Sequence, residues 1–150
     1  MKKFLVSIIA AASIVGISAP ATAGSLTPQF NVDINLTTAC KMSTAPTAVV
    51  FSYTAFGAAA SSTGGGFGVQ CTNNLTYTLA LDATAVTDNA VNLDYTLALS
   101  AAGGTGSGAA QAYTIAGGMI AGQAGSCAAS GASCTNGAST NKTRTLTVGY

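Results

Sequence analysis

The chain has 150 residues, of which 49% are hydrophobic and only 6% are charged, and its formal net charge is +1. This balance provides no basic patch for nucleic acid and no run of charge typical of a membrane-surface protein. The sequence contains no histidine, so the usual general base for a serine or cysteine nucleophile is missing.

The first 23 residues have the three parts of a secretory signal peptide. A basic start (residues 1–3) precedes an apolar run (residues 4–17), and small residues follow up to Ala23. We therefore predict export, with cleavage after Ala23. The alternative is a membrane anchor, but the apolar run is shorter than the roughly 20 residues that span a bilayer.

The mature chain would then begin at Gly24 and would have the size of one domain. It keeps three cations and four acids, which are Lys41, Lys142, Arg144, Asp33, Asp82, Asp88 and Asp94. A surface so sparsely charged, and rich in Ala, Gly, Thr and Ser, has little electrostatic protection against self-association.

Residues 29–36 ("QFNVDINL") alternate strictly between polar and apolar side chains. The residues on the apolar side of an extended strand would be Phe30, Val32, Ile34 and Leu36, and Leu26 has the same parity. An amphipathic strand near the expected mature N-terminus completes either the core of its own domain or the core of another copy. The alternation alone leaves both readings open.

Period-two alternation, with Gly, Ser, Asn and Pro between the runs, predicts strands along the rest of the chain. The predicted strands are residues 47–56, 74–82, 91–99 and 143–150, together with residues 61–71, where a glycine-rich turn enters a strand. Residues 111–123 predict one or two short strands that break at Gly117 and Gly118. Residues 101–110 and 124–141 predict loops. About seven strands joined by turns predict an all-β fold, a β-sandwich in the immunoglobulin-like style.

Four cysteines in an exported chain indicate disulfides, and four cysteines allow three pairings. We favour Cys40–Cys71, because both residues end strand-like runs, and Cys127–Cys134, because they bracket a short loop. The alternative is a zinc site, but the chain has no histidine and no CxxC spacing.

No catalytic, cofactor-binding or metal-binding residue is predicted. Asp33 and Asp94 alternate with apolar neighbours and are expected on solvated strand faces. Asp82 and Asp88 lie at or beside turns, where aspartate is common for backbone reasons. The glycine-rich residues 61–68 invite comparison with a phosphate-binding loop, but they lack the lysine and the following helix of such a loop. We therefore do not expect an enzyme.

Four stretches in order along the chain carry a resemblance to a known family. They are "TPQFNVDINLTTACKM" (27–42), "GGGFGVQCTNNLTYTLALD" (64–82), "GSGAAQAYTIAGGMIAGQ" (106–123) and "TRTLTVGY" (143–150). Together they resemble the spore coat protein U domain family over nearly the whole mature chain. The segment before "AGQ" lacks the Arg and Pro common in that family, and the loop between Cys127 and Cys134 looks like an addition.

The resemblance implies a subunit of archaic chaperone–usher pili, whose incomplete immunoglobulin-like β-sandwich is completed by donor-strand exchange. Residues 24–36 would form the donor strand, with the apolar residues of 29–36 entering another subunit, and residues 37–150 would form the sandwich domain. The implied partners are identical or related pilin subunits in a head-to-tail polymer, an outer-membrane usher and a periplasmic chaperone. The chaperone would pair with the C-terminal strand through Leu146, Val148 and Tyr150.

The resemblance also implies a location and a role. The subunit would cross the periplasm and end in an extracellular pilus on the cell surface, where the fibre supports adhesion and biofilm formation. The alternative is a self-complemented β-sandwich, secreted or on the surface, that acts as an adhesin-like binding module. The resemblance favours the donated strand over the self-inserted one.

Overall fold

The computed structural model describes residues 24–127 and 133–150, and the expected signal peptide, residues 1–23, lies outside the described residues. In this part the chain is all-β, as predicted, with one short 3-10 turn at Asn136–Ala138. The strands are β1 (Cys40–Thr44), β2 (Ala60–Cys71), β3 (Thr76–Leu81), β4 (Ala85–Asp88), β5 (Leu93–Leu99), β6 (Gly103–Thr105), β7 (Ala110–Met119) and β8 (Leu146–Gly149). Among the described residues, no helix has the length and apolar character needed to cross a membrane.

The strands form two antiparallel sheets, in the orders β1-β2-β7-β5-β4 and β6-β3-β8. One buried cluster contains residues from both sheets. Its members are Phe67, Val69, Cys71, Tyr77, Leu79, Leu97 and Ile115. Two antiparallel layers over a single hydrophobic core are consistent with an immunoglobulin-like sandwich.

The alternating sequence pattern correctly predicts β3 and β5. In β3, Tyr77 and Leu79 are buried and the threonines that alternate with them are exposed. In β5, Leu97 is buried and Asp94 is exposed. Successive side chains of a strand point to opposite faces, so the apolar residues of each run determine which face lies on the core.

The structure assigns no strand to residues 47–56, so the strand predicted there is wrong. The alternation still describes burial, because Val49, Phe51 and Tyr53 are half-buried and the residues between them are exposed. The backbone contact with β2 is made at the start of the segment, where Thr47 N–H donates to the Gly66 carbonyl oxygen over 3.2 Å. Alternating apolar residues show that one face of an extended segment is covered. A β-strand also needs a neighbouring strand with which its backbone forms a ladder of hydrogen bonds.

The turn predicted within residues 61–71 and the break predicted at Gly117 and Gly118 are both wrong. β2 runs unbroken through the glycines expected to form a turn, with a register shift between Thr63 and Gly66 that marks a bulge. β7 runs unbroken through Gly117 and Gly118, where a break was expected. A Cβ at Gly117 would lie 2.3 Å from Cζ of Phe51. This glycine therefore makes room for the segment 47–56 and does not end the strand.

Three strands, β1, β4 and β6, were not predicted from the sequence. β6 lies in the stretch 101–110, which was predicted to be a loop, and pairs with the start of β3. Its Gly103 has φ +152°, and a Cβ there would lie 2.2 Å from the Tyr77 carbonyl oxygen. β4 pairs with β5 and has only four residues. Short edge strands with small side chains carry too little hydrophobic period to be recognised.

The structure contains two disulfides, Cys40–Cys71 and Cys127–Cys134. These are the pairings that the sequence favours. Cys40–Cys71 joins the first residue of β1 to the last residue of β2. Cys127–Cys134 closes a loop whose residues 128–132 are not described.

The role of Gly117 can be tested by adding one methyl group. We expect Gly117→Ala to lower the free energy of unfolding by about 1–3 kcal/mol, because the new Cβ would overlap the Phe51 ring. Gly66→Ala is the matched control, since a Cβ there meets nothing within 4 Å. Urea unfolding measures both variants, and equal stabilities would contradict the role given to Gly117.

Candidate donor segment and strand-acceptor edge

The segment predicted as the donor strand presents its apolar side chains to solvent. No strand is assigned to residues 24–39. The exposed fractions are 94% for Leu26, 85% for Phe30, 69% for Val32, 87% for Ile34 and 73% for Leu36. Single exposed apolar residues are ordinary, but a regular row of them marks an interaction site or an aggregation hazard.

The C-terminal strand β8 lies at the edge of the smaller sheet, where it pairs with β3. In this register Leu146 faces Leu81 and Gly149 faces Thr78. On the side of β8 away from β3, the described part of the chain supplies no strand. An edge strand of this kind offers a row of backbone N–H and C=O groups to any strand that can pair with it.

The other three edges of the two sheets are poorer acceptors. All residues of β1 after Cys40 are exposed, so β1 has little apolar surface on the core. β6 consists of two glycines and Thr105, so it brings no apolar side chain to the core. β4 has four residues. By contrast, Leu146 and Val148 of β8 both pack against the buried cluster and remain half-buried. β8 thus combines a free backbone edge with a partly uncovered apolar face.

The core as a whole is covered incompletely in the described residues. Seven residues form the buried cluster, and nine more hydrophobic residues that pack against it are only partly buried. The partly buried residues are Cys40, Val49, Leu75, Leu81, Tyr95, Leu99, Tyr113, Leu146 and Val148. A fully enclosed sandwich would bury most side chains of this kind.

The segment 47–56 provides a second extended row beside the core. Val49 packs against the buried cluster, and the rings of Phe51 and Tyr95 have centroids 5.8 Å apart. The Tyr53 hydroxyl accepts a hydrogen bond of 2.8 Å from Gln123 N–H. These contacts hold the segment in place by its side chains.

Polar contacts fix the residues that lead into β8. Asp82 N–H donates to the Thr145 carbonyl oxygen over 3.0 Å, and Arg144 Nη2 donates to the Asn141 carbonyl oxygen over 2.7 Å. Arg144 and Asp82 also form an ion pair of 3.7 Å, with both side chains partly exposed. An ion pair with this exposure adds little stability, so its main effect is positional.

A family model now identifies the chain. The model of the Spore Coat Protein U domain matches residues 26–130. The chain belongs to this family. No curated protein and no solved structure matches the chain. The spore coat protein U domain is associated with structural subunits of chaperone–usher pili, which are exported to the cell surface.

The spore coat protein U domain of this chain contains a buried carboxylate that positions β8. Asp88 is only 2% exposed. Its Oδ1 accepts hydrogen bonds from the N–H groups of Ala90 and Val91, over 2.8 and 3.1 Å. Its Oδ2 accepts a 3.0 Å bond from Asn136 Nδ2. Asp88 therefore ties the turn after β4 to the connection that leads into β8.

The polar connection continues through Asn89. Ser139 Oγ donates to Asn89 Oδ1 over 2.8 Å, and Asn141 Nδ2 donates to the Thr87 carbonyl oxygen over 2.8 Å. The sequence placed Asp88 correctly at a turn but gave no sign of its burial. Its partner Asn136 is 48 residues away, and that separation is beyond the reach of local turn chemistry.

Within residues 24–127 and 133–150, no group of three or more His, Cys, Asp or Glu side chains could hold a metal ion. The four cysteines are all in disulfides. Burial and the neighbouring Tyr113 raise the pKa of Tyr77 to about 12, so this phenol stays protonated and donates to Gln111 Oε1 over 2.8 Å.

The stability of the β8 connection is expected to depend on pH through Asp88. Burial alone would raise the pKa of its carboxyl, but the bonds from Asn136, Ala90 and Val91 lower that pKa below its ordinary value. A lowered pKa in the folded state gives stability that is complete above the unfolded-state value and is lost as the pH falls through the folded-state value. Unfolding free energy should therefore decline below about pH 4.

Two variants test this dependence. Asp88→Asn places an amide N–H₂ against the Asn136 side chain, so we expect it to lower stability near neutral pH by about 1–3 kcal/mol and to flatten the acid decline. Asp33→Asn removes a carboxylate from an exposed position and controls for net charge. Denaturant unfolding across the pH range measures both. A wild-type pH profile in Asp88→Asn would contradict the account.

Proposed function

We propose that this chain is a structural subunit of a secreted chaperone–usher pilus that polymerises by donor-strand complementation. Residues 24–36 of one copy supply the strand, and β8 of the next copy supplies the edge that receives it. One observation carries the proposal: an exposed apolar row at residues 30–36 occurs in the same chain as a partly uncovered β8, whose outer edge pairs with no strand of the described residues. Strand donation between pilins is a known form of β-augmentation.

The energy available from such a strand is large enough to hold a fibre. The four apolar side chains are 69–87% exposed in the structure. Burying each contributes roughly 1.5–3 kcal/mol, so all four contribute about 6–12 kcal/mol as an upper bound. The ladder to β8 adds roughly 0.5–1.5 kcal/mol for each hydrogen bond. The sum is comparable with the stability of an ordinary domain, which is about 5–15 kcal/mol.

The contact leads to an open filament. The donor segment and the acceptor edge are different surfaces, so each copy can donate to one neighbour and accept from another. A heterologous contact that does not close on itself generates a linear polymer. The sparse charge of the chain opposes this association only weakly.

The exposed edge of β8 also accounts for the two assembly partners in this proposal, a periplasmic chaperone and an outer-membrane usher. A subunit with an open β8 and half-buried Leu146 and Val148 is prone to wrong edge-to-edge pairing before assembly. A periplasmic chaperone that pairs with β8 and contacts Tyr150, which is 65% exposed, would cover this edge. An outer-membrane usher would then exchange the chaperone for the next donor strand, after residues 1–23 have directed export. The finished fibre would support surface adhesion and biofilm formation.

The match to the Spore Coat Protein U domain supports donation over the alternative of a self-complemented binding module. In a self-complemented module the apolar side chains of residues 30–36 would be buried within the same copy. The two functions differ in a measurable way, because donation yields stable multimers of the folded chain and self-complementation yields monomers.

A pair of adjacent substitutions tests the donor face. Ile34→Asp places a charge on the apolar face of the donor strand and should abolish heat-sensitive ladders on gels, because an unpaired carboxylate would be buried in the acceptor. Asn35→Asp adds the same charge on the opposite face and should leave the ladders intact. Circular dichroism of both variants controls for folding. Ladders from Ile34→Asp, or monomers from the wild-type chain, would refute the proposed function.

A further inference from the structure

The asparagine that ties the β8 connection to Asp88 is followed by a glycine. Residues 136 and 137 are Asn-Gly, and none of the other asparagines in the chain is followed by glycine. In such a pair the backbone nitrogen of the glycine can attack the side-chain amide carbon of the asparagine, because the glycine has no side chain that obstructs the approach. Asn136 and Gly137 are both exposed, so water reaches this pair.

The reaction available to this pair is deamidation. A bond forms between the Gly137 nitrogen and Cγ of Asn136, the Gly137 nitrogen loses its proton, and Nδ2 of Asn136 leaves as ammonia. Water then opens the five-membered succinimide at either of its two carbonyl carbons. The product is an aspartate or an isoaspartate at position 136, so a neutral amide becomes a carboxylate. Water is the only reactant besides the chain itself.

The folded chain holds this pair in an unreactive arrangement. The leaving group, Asn136 Nδ2, donates a 3.0 Å hydrogen bond to Oδ2 of the buried Asp88. Asn136 also begins the 3-10 turn, where its carbonyl oxygen accepts a 2.9 Å bond from Ser139 N–H. Lys142 Nζ donates to the Gly137 carbonyl oxygen over 3.1 Å. Ring closure needs the Asn136 side chain to rotate toward the Gly137 nitrogen, and these bonds oppose that rotation.

The loop before the pair is also fixed close to Asp88. Ser126 N–H donates to the Val91 carbonyl oxygen over 2.7 Å, and Val91 N–H donates to Asp88 Oδ1 over 3.1 Å. The next residue, Cys127, forms a disulfide with Cys134, which lies two positions before the Asn-Gly pair. The disulfide therefore keeps the pair near the carboxylate, so that the hydrogen bond between them can re-form after it breaks.

We propose that Asn136 is a site of spontaneous deamidation, which its hydrogen bond to Asp88 suppresses in the folded chain and which opening of the connection into β8 releases. The modification itself does not depend on the proposed strand donation. A carboxylate at position 136 has no proton to donate to Asp88, and two adjacent carboxylates are costly to ionise together. The bond to Asp88 cannot re-form after the reaction, so an opening that was reversible becomes permanent.

Deamidation would thereby mark the copies in which β8 has lost this support. Because β8 is the proposed acceptor edge, a modified copy would be a poorer acceptor, and this consequence rests on the proposed function. Asn136→Asp carries the charge of the product from the start. We expect it to form about tenfold fewer multimers than wild type on gels, because the repulsion from Asp88 loosens the entry into β8.

Peptide mapping of the full chain by mass spectrometry tests the site. Wild-type chain is incubated at neutral pH in buffer and in guanidinium chloride, and conversion is followed by the mass gained when an amide becomes a carboxylate. We expect conversion at Asn136 to be about tenfold or more slower in the folded chain. Gly137→Ala should remove the reaction under both conditions. A Cβ there meets only Thr135 Oγ1, at 3.5 Å, so this variant keeps the fold.

Two destabilised variants separate local opening from global unfolding. Asp88→Asn presents an amide N–H₂ to Asn136 and should raise the rate of conversion in buffer about tenfold. Gly117→Ala disturbs the contact with Phe51 and leaves the bond between Asp88 and Asn136 intact, so its rate should stay within about twofold of wild type.

The outcomes separate this inference from the proposed function. Equal rates for folded and denatured wild-type chain, equal acceleration by the two destabilised variants, or no conversion at Asn136 in the denatured chain would each overturn the proposed site. Wild-type ladders from Asn136→Asp would overturn only the consequence for assembly. Absence of ladders from the wild-type chain would overturn the proposed strand donation and leave the deamidation site intact.

Discussion

The imbalance between the two layers of the sandwich is the constraint from which the behaviour of this chain follows. Five strands form one layer and three form the other, so β8 is left at an edge with Leu146 and Val148 half-buried. A hydrophobic core that is not enclosed costs stability in proportion to the apolar area left in water. The chain also carries an exposed apolar strand-like segment at residues 30–36. In the function that we propose, pairing this segment with β8 of another copy would cover both apolar surfaces at once.

Long strands with a regular pattern could be predicted from the sequence, and contacts made through small residues could not. The alternation around Tyr77 and Leu97 determines the inner faces of β3 and β5, because half of each strand is buried. β6 has no such pattern, since Gly103 and Gly104 contribute close backbone approach and not apolar area. The break predicted at Gly117 is wrong for a similar reason. A glycine is needed there because the ring of Phe51, which is distant in sequence, occupies the space of a Cβ. The resemblance to the spore coat protein U domain family supplied the donor role, which alternation alone left open.

The remaining polar and covalent contacts fix the two parts of the domain that the proposed strand exchange would use. At the donor end, the Cys40–Cys71 disulfide and the bonds between Ala39 and Thr72 fix where the N-terminal segment leaves the domain. At the acceptor end, the buried Asp88 and the contacts of Arg144 fix the entry into β8. Each of these contacts joins segments far apart in the sequence, so none could be read from local pattern. In the proposed polymer, fixed ends of this kind would let one strand determine both affinity and geometry.

Residue-resolved hydrogen exchange in the polymer and in the unassembled chain tests the central claim most directly. Backbone amides that enter a ladder become protected from exchange to the extent that the ladder resists opening. The account predicts that amides of residues 30–36 and of the outer edge of β8 become protected by about a hundredfold or more on assembly. Equal protection of these amides in the unassembled chain and in the polymer would contradict it, because the strand would then already be paired within one copy.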